Sequence, residues 1–504
     1  MRQKEKLQVN TVLPLINMLC LTIIGIIVPK LIIVNYGSEI NGTISSITYF
    51  TSIMTLLDMG IGAVVQASLY KPLAENDADS ISKIYKSSSR FFWRITIILI
   101  IFSAAMSFAY PLIVKTSMSF FITALLVVAV SFNGYSKNYL GITKTILLNA
   151  HEKIYISMTL NIICAVIGFV LSVLLIKSKV SIIAVEMAPA VAFIIKPILL
   201  DIYIKRHYVI TKNIDISEEP IKQKWNGVAQ HLSFYITTNV DVIIITLLIS
   251  LKEVSVYSVY NMIVSGISGL IIVLQSGVQP ILGRLYASGK SKELSEFFEK
   301  YEFLVHIITT MLFSCTISLI IPFVSVYTLG IKDANYIRPA FAAVFCLAQF
   351  FYSLRFPYHT MVIAAGHFKQ TQLSSIVEML INLVLTIALS FRFGLIGVVL
   401  GTLVSLAYKF FYLLLYTKRI VTDYAFRKGI RLFLSDAISI SVSALICFNF
   451  SMQHLTYFNW IILAVEVSVI SIVTVVAINL VVNKSRFIML LKSFLSRGKL
   501  IEFG

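Results

Sequence analysis

Apolar segments of about 20 residues recur along the whole chain and restrict the folds open to it. Of its 504 residues, 58% are hydrophobic and only 13% are charged, with a mean hydropathy of +0.88. So few charges could not cover the surface of a soluble protein of this size. The segments of about 10 alternating residues that a β-barrel needs are absent. The sequence therefore predicts an all-α integral membrane protein.

We predict fourteen transmembrane helices, which place both termini on one side of the membrane. The first begins after MRQKEK with no small-residue cleavage site, so it is predicted to stay uncleaved. The spans are 11–34, 41–68, 91–114, 119–149, 154–176, 180–203, 226–250, 255–283, 301–328, 337–365, 371–392, 396–416, 430–452 and 457–482.

The distribution of lysine and arginine predicts the orientation. The tails and even-numbered loops hold 28 of these residues, whereas the opposite loops hold 7. Both termini are therefore predicted to be cytoplasmic. The same alternation argues that the net charge of +18 serves membrane topology, so we expect no nucleic-acid partner.

An offset of 216 residues aligns the end of span two with the end of span eight and predicts an internal repeat. Six helices then correspond to the next six in the same topology. This predicts two pseudo-symmetric lobes of six helices, 1–205 and 225–418, joined by a cytoplasmic linker, 206–224. Residues 419–504 add a helix pair and a basic amphipathic tail suited to anionic lipid. The aligned pairs are Tyr70 with Tyr286, Tyr85 with Tyr301, His151 with His367, and Lys153 with Lys369.

Four cations lie inside apolar spans, where each costs about 2.5–3.5 kcal/mol. Lys137 and Arg355 occupy the fourth helix of the two lobes, and Lys196 and Lys409 occupy the sixth. Polar residues at helical spacing accompany most of them. We predict that they line a wet, positively charged cavity that binds an anionic substrate. Lys30, Tyr352, His359 and Arg284 are predicted at its margin.

Structural roles are the alternative for several of these residues. The cations could instead form ion pairs, with Asp58 and Asp241 as partners, or the two aspartates could bind a coupling cation. In span twelve, Gly397 and Gly401 favour the close approach of another helix.

No signature of catalysis or cofactor binding is found in the sequence. All five cysteines fall in apolar runs without a C-x-x-C pair, so we expect buried free thiols and no metal. The chain has no G-x-x-x-x-G-K-[ST], H-E-x-x-H or G-x-S-x-G motif. We therefore expect no cofactor and no enzymatic activity, and we predict a transporter.

Three stretches resemble the polysaccharide (O-antigen or capsule repeat-unit) flippases of the multidrug/oligosaccharidyl-lipid/polysaccharide exporter superfamily. The resemblance covers essentially the whole chain and depends on the order and spacing of the stretches. They are YGSEINGTISSITYFTSIMTLLDMGIGAVVQASLYKPLAE, TTNVDVIIITLLISLKEVSVYSVYNMI, and AAGHFKQTQLSSIVEMLINLVLTIAL with GLIGVVLGTLVSLAYK.

This resemblance implies two six-helix lobes packed as a V around a central cavity that opens to one side at a time. It implies a bacterial cytoplasmic membrane protein that carries undecaprenyl-diphosphate-oligosaccharide between leaflets, coupled to Na⁺ or H⁺ and working with a polysaccharide polymerase. The family's cavity cations map by position onto Lys137, Arg355 and Lys409, and less securely onto Lys196. The alternatives are a drug/cation antiporter, a lipid II flippase, in which we expect arginines in the first helix, and a membrane glycosyltransferase or polymerase.

Overall fold

A computed structural model describes residues 3–52, 61–211, 228–421 and 424–495, and these residues form helices and connecting loops with no β-strand. The helices are α1 (Gln3–Tyr36), α2 (Ser38–Thr51), α3 (Ile61–Glu75), α4 (Ala78–Ile113), α5 (Phe120–Asn138), α6 (Ile142–Ala150), α7 (Ile154–Lys177), α8 (Ile182–His207), α9 (Val228–Leu248), α10 (Leu251–Ala287), α11 (Ser291–Tyr327), α12 (Pro339–Leu354), α13 (Phe356–Ala364), α14 (Phe368–Phe393), α15 (Leu395–Thr417), α16 (Phe426–Cys447), α17 (Tyr457–Val482) and α18 (Lys484–Leu495).

Within the described ranges, twelve helical stretches are long and apolar enough to cross a membrane, and each matches a predicted span. The predicted span 41–68 contains residues 53–60, which the structure does not describe. The predicted span 226–250 contributes a shorter apolar helix, Tyr235–Leu248. The all-helical, multi-pass class is confirmed, and the total of fourteen spans stays a prediction.

The chain forms two compact units. Unit 1 consists of Met1–Tyr235 with Ser250–Ser255, and unit 2 of Ile236–Ile249 with Val256–Gly504. In unit 1, α7 packs against α1 and α8, and α8 also packs against α5. In unit 2, α15 packs against α12 and α14, while α16 and α17 pack against α11. The predicted domain boundaries at residues 205, 224 and 418 stay predictions.

Each unit contains one membrane helix that is interrupted. In unit 1, α5 ends at Asn138 before α6, and in unit 2, α12 ends at Leu354 before α13. These two ends are 216 residues apart, which is the offset of the predicted repeat. Gly141 causes the first break by adopting φ 88°, a conformation that favours glycine. Pro357 causes the second because it cannot donate the helical hydrogen bond to residue 353.

A histidine follows each interrupted helix and contacts a tyrosine at the end of the unit's sixth membrane helix. The Nδ1 atom of His151 lies 2.7 Å from the hydroxyl of Tyr208, and that of His367 lies 3.1 Å from the hydroxyl of Tyr416. The two contacts are built alike, which further supports the repeat.

The glycines of α15 permit a close approach to α14, as predicted. A Cβ atom on Gly397 would lie 2.0 Å from the carbonyl oxygen of Leu389. A Cβ atom on Gly401 would lie 2.5 Å from the amide nitrogen of Thr386. Any larger residue at either position would therefore push the two helices apart.

A buried carboxylate joins the C-terminal helices to α11. Glu302 on α11 is fully buried and accepts hydrogen bonds from the hydroxyls of Tyr358, at 2.9 Å, and Tyr424. It also accepts one from Nη1 of Arg486 on α18, at 3.2 Å. Helices α13 and α18 and the segment before α16 therefore meet on one acidic side chain.

A second buried pair extends this network. The Nδ1 atom of His306 lies 2.6 Å from Oδ2 of Asp436 on α16, and its Nε2 atom lies 3.0 Å from the Tyr358 hydroxyl. The single hydroxyl hydrogen of Tyr358 is donated to Glu302, so Nε2 of His306 must carry a hydrogen that it donates to Tyr358. With Nδ1–H donating to Asp436, the imidazolium and the guanidinium of Arg486 balance the two carboxylates.

Candidate functional site

Lys137 lies in the last turn of α5, where a cation favours the helix dipole, and its side chain is exposed. It lines a cavity of about 260 Å³ in unit 1 with Asn133, Glu186, Thr48 and Thr51. Its Nζ atom lies 5.7 Å from the centre of the Phe193 ring, within cation–π range. This cavity therefore presents an accessible ammonium group among hydroxyl and amide groups.

The polar stripe that the sequence places on span four is interrupted in the structure. Asn133 and Lys137 line the same cavity, but Lys144 follows the break and does not. The Nζ atom of Lys144 instead lies 3.0 Å from the carbonyl oxygen of Pro197 and 3.1 Å from Oδ1 of Asp201. Counting at helical spacing failed here because the helix ends at Asn138.

Lys196 is predicted to share the cavity of Lys137, and the structure corrects this grouping. Its side chain is buried on α8, and Nζ donates to Oδ1 of Asn161 on α7 at 3.0 Å. Asn161 Nδ2 in turn donates to Oδ1 of Asn17 on α1 at 2.8 Å. Lys196 is absent from the lining of the Lys137 cavity and instead joins three helices inside unit 1.

In unit 2, Arg355 and Lys409 converge on one carboxylate, that of Glu378 on α14. Nη1 of Arg355 lies 2.8 Å from Oε1 of Glu378, and Nζ of Lys409 lies 3.3 Å from Oε2. Lys409 also donates to the hydroxyls of Ser374 and Ser375, at 3.1 and 2.7 Å. The side chains of the three charged residues are at most 10% exposed.

This arrangement carries one unbalanced positive charge because two cations share one carboxylate. It also corrects the predicted ion pairing: the partner of Arg355 and Lys409 is Glu378, not Asp241. A buried charge in excess is costly in a low-dielectric environment unless an anion approaches it. The cluster is thus electrostatically suited to an anionic ligand.

Tyr352 and His359, predicted at the margin of the site, lie beside Arg355. The guanidinium carbon of Arg355 lies 4.2 Å from the centre of the Tyr352 ring. His359 is half-buried one turn further along, and its backbone N–H donates to the Arg355 carbonyl at 2.9 Å. Tyr352 also lines a cavity of about 230 Å³, so its ring stands between this cavity and Arg355.

Asp241 on α9 lines that same cavity. It is buried, and its carboxylate oxygens accept hydrogen bonds from Thr402 Oγ1 on α15, at 2.7 and 2.8 Å, and from the Tyr257 hydroxyl at 3.2 Å. Asn382 Nδ2 donates to Thr402 Oγ1 at 3.1 Å, whereas its buried Oδ1 has no partner in the described part of the chain. Oxygen ligands thus converge around one buried carboxylate.

Three predicted residues remain. Asp58 lies outside the described residues. Lys30 is half-buried on α1, and Arg284 is exposed in the last turn of α10. Neither lines the two cavities described above.

Sequence reasoning missed Glu378 and Glu186, although a signal for Glu378 was present. It is the only acidic residue in span 371–392, and it belongs to a stripe of polar residues at helical spacing. All members of that stripe are buried, namely Thr371, Ser374, Ser375, Glu378, Asn382 and Thr386.

Two family models match the chain. The model described as "Polysaccharide biosynthesis protein" matches residues 41–286, and the model described as MatE matches residues 228–388. No curated protein matches the sequence significantly.

Solved structures of low sequence identity share the fold. "Lipid II flippase MurJ, inward closed conformation" is 15% identical, with a TM-score of 0.64, and the match covers 92% of this chain and 97% of that one. An "inward-facing conformation of a multidrug resistance MATE family transporter of the MOP superfamily" is 11% identical, with a TM-score of 0.61 and coverage of 80% and 96%. The eukaryotic MATE transporter AtDTX14 is 12% identical, with a TM-score of 0.60 and coverage of 85% and 98%.

The fold, the buried charges and these matches together define a multi-pass membrane transporter or flippase. The chain belongs to the multidrug/oligosaccharidyl-lipid/polysaccharide exporter superfamily, as the sequence predicts.

Proposed function

We propose that this protein is a flippase that moves undecaprenyl-diphosphate-linked oligosaccharide from the inner to the outer leaflet of the bacterial cytoplasmic membrane. The observation that carries the proposal is the unbalanced cluster of Arg355, Lys409 and Glu378, because a diphosphate supplies the negative charge that the cluster lacks. The family model for polysaccharide biosynthesis proteins supports the choice of substrate class.

The chemistry of the two units suits different contacts with one headgroup. Arg355 could bind phosphate oxygens in bidentate geometry, and Lys409 and Lys137 could act as point charges. The hydroxyl and amide groups of Thr48, Thr51 and Asn133 suit sugar hydroxyls. An anion that moves outward gains about 2.3 kcal/mol per charge per 100 mV from an inside-negative potential. Lys196 is not assigned to the headgroup.

Lys137 provides the sharpest test of the proposal. In proteoliposomes that contain the purified protein and a fluorescent undecaprenyl-diphosphate-oligosaccharide, Lys137→Ala is expected to slow translocation about tenfold, because a charge-assisted contact contributes about 1.5–3 kcal/mol. Lys177→Ala is the matched control, since Lys177 is exposed at the end of α7 and lines no cavity described here. Wild-type protein that fails to move this substrate would overturn the proposal.

A second candidate is translocation of lipid II, which the fold match to the MurJ structure favours. Lipid II also carries a diphosphate, so the charge cluster alone does not discriminate. The same assay with fluorescent lipid II decides between them, because faster transport of lipid II than of the oligosaccharide lipid would replace our proposal. Efflux of a cationic dye without transport of either lipid would instead assign the chain to drug export.

We further propose that Asp241 binds the coupling cation, Na⁺ or H⁺. The carboxylate is buried and bonded to hydroxyl groups, and the unpartnered Oδ1 of Asn382 supplies another oxygen. Asp241→Asn is expected to abolish acceleration of transport by an inward Na⁺ or H⁺ gradient, with the rate falling to that measured without a gradient. Asp333→Asn, in the loop before α12, is the control. Full gradient dependence in Asp241→Asn would exclude this role.

A further inference from the structure

A basic cavity lies where α16, α17 and α18 meet in unit 2. Its volume is about 580 Å³, and it is lined by Lys428 and Arg431 of α16, by Lys484 and Arg486 of α18, and by Val481. No acidic residue lines it within the described part of the chain. It is separate from the cavities of Lys137 and Asp241 and has no part in the proposed transport.

Two carboxylates of α11 hold two of the four cations in place. Nζ of Lys428 lies 2.6 Å from Oε1 of Glu299, and Nη1 of Arg486 lies 3.2 Å from Oε2 of Glu302. Arg431 is held by a neutral group, because it donates to the carbonyl oxygen of Val482. Four cations against two carboxylates leave two positive charges in excess at this cavity.

Several hydrogen-bond donors are available to a ligand there. Nη2 of Arg486 is buried and has no hydrogen-bond partner among the described residues, although it lies 3.6 Å from Oε2 of Glu299. The cavity also contains the first turn of α18, residues 484–486, whose backbone N–H groups precede the first turn's hydrogen bonds. A helix N-terminus beside lysine and arginine favours phosphate oxygens.

The apolar border of the cavity indicates what kind of anion it accepts. Val481 is 83% exposed and Ile488 is 38% exposed, and both line the cavity beside its cations. Such side chains offer nothing to a soluble phosphate ion, but they suit acyl chains attached to a phosphate. The lysines and arginines of the tail also lie on the side for which the loop charges predict the cytoplasm.

We propose that this cavity binds the phosphodiester headgroup of an anionic phospholipid, with the acyl chains against Val481 and Ile488. Arg431, Lys484 and Arg486 contact the phosphate, and Ser485 and the α18 amides complete the site. Because Arg486 also bonds Glu302, a bound lipid fastens α18 and α16 to α11.

Native mass spectrometry of the purified full-length chain tests the proposal. Phosphatidylglycerol is titrated against the wild type and the double variant Arg431→Gln with Lys484→Gln. Each lost cation is expected to weaken binding about fivefold, since a basic residue contributes about 1 kcal/mol at an anionic lipid surface. The control, Lys418→Gln with Arg427→Gln, removes two exposed cations that do not line the cavity and is expected to bind as the wild type does.

Further arms identify the ligand and separate this site from transport. Phosphatidylcholine is expected to bind weakly, and inorganic phosphate is expected not to raise the unfolding temperature that phosphatidylglycerol raises. Equal binding by the double variant and the control would overturn the proposal, and equal stabilisation by inorganic phosphate would exclude a lipid. Lys484→Gln alone changes one exposed side chain and repeats the test if the double variant is unstable. None of these measurements requires translocation, so they stand apart from the proposed function.

Discussion

Replacing Arg355 with alanine is expected to reduce translocation of the lipid-linked oligosaccharide at least tenfold while the protein remains folded. The variant removes the excess positive charge, yet it leaves Glu378 paired with Lys409 at 3.3 Å. The transported diphosphate then loses a charge-assisted contact that contributes about 1.5–3 kcal/mol. The rate is measured in proteoliposomes, and folding is checked by thermal unfolding in detergent.

Charge reversal of the argument provides the control for Arg355. Glu378→Gln keeps both cations and is expected to lower the unfolding free energy by about 3–5 kcal/mol, because it leaves two buried like charges without a partner. Arg392→Ala removes an exposed arginine at the end of α14 and should change neither property. Wild-type transport by Arg355→Ala would show that the cluster serves only to pack α14 against α12 and α15.

Replacing Glu302 with glutamine is expected to lower the unfolding free energy by about 3–5 kcal/mol, with no loss of residues that line a transport cavity. Glu302 is the common acceptor for Tyr358, Tyr424 and Arg486, and the variant leaves the guanidinium opposite a neutral amide. Loosening of α16 and α18 should precede global unfolding, and hydrogen exchange of their amides measures this directly.

Glu296→Gln is the matched control for Glu302, because Glu296 is exposed on the same helix. It should unfold as the wild type does. If α16 and α18 stay as protected in Glu302→Gln as in the wild type, the buried network does not hold them to α11.

The membrane helices could be predicted because a span needs only a local excess of apolar residues. The depth of Arg355 and Lys409 followed from the same count, since each lies inside such a span. Helix interruptions were harder to predict: Pro357 marks the second, but the first depends on the conformation of Gly141.

Side-chain partners could not be predicted, because one sequence does not reveal which helix faces meet. Glu378 is 23 residues from Arg355 and 31 from Lys409, on a helix that the prediction treated as apolar. Asp241 meets Thr402 across 161 residues, and His306 meets Asp436 across 130. Such pairings depend on tertiary packing, which hydropathy does not specify.

The interrupted helices also record how the chain arose. Both breaks fall at the same position of the 216-residue period, whereas the cations beside them do not: Lys137 corresponds to Ser353, and Arg355 corresponds to Tyr139. This indicates that the broken helix was present in a single ancestral gene before it duplicated. The charges were acquired separately by each copy afterwards, so the backbone geometry is older than the substrate preference that the charges now impose.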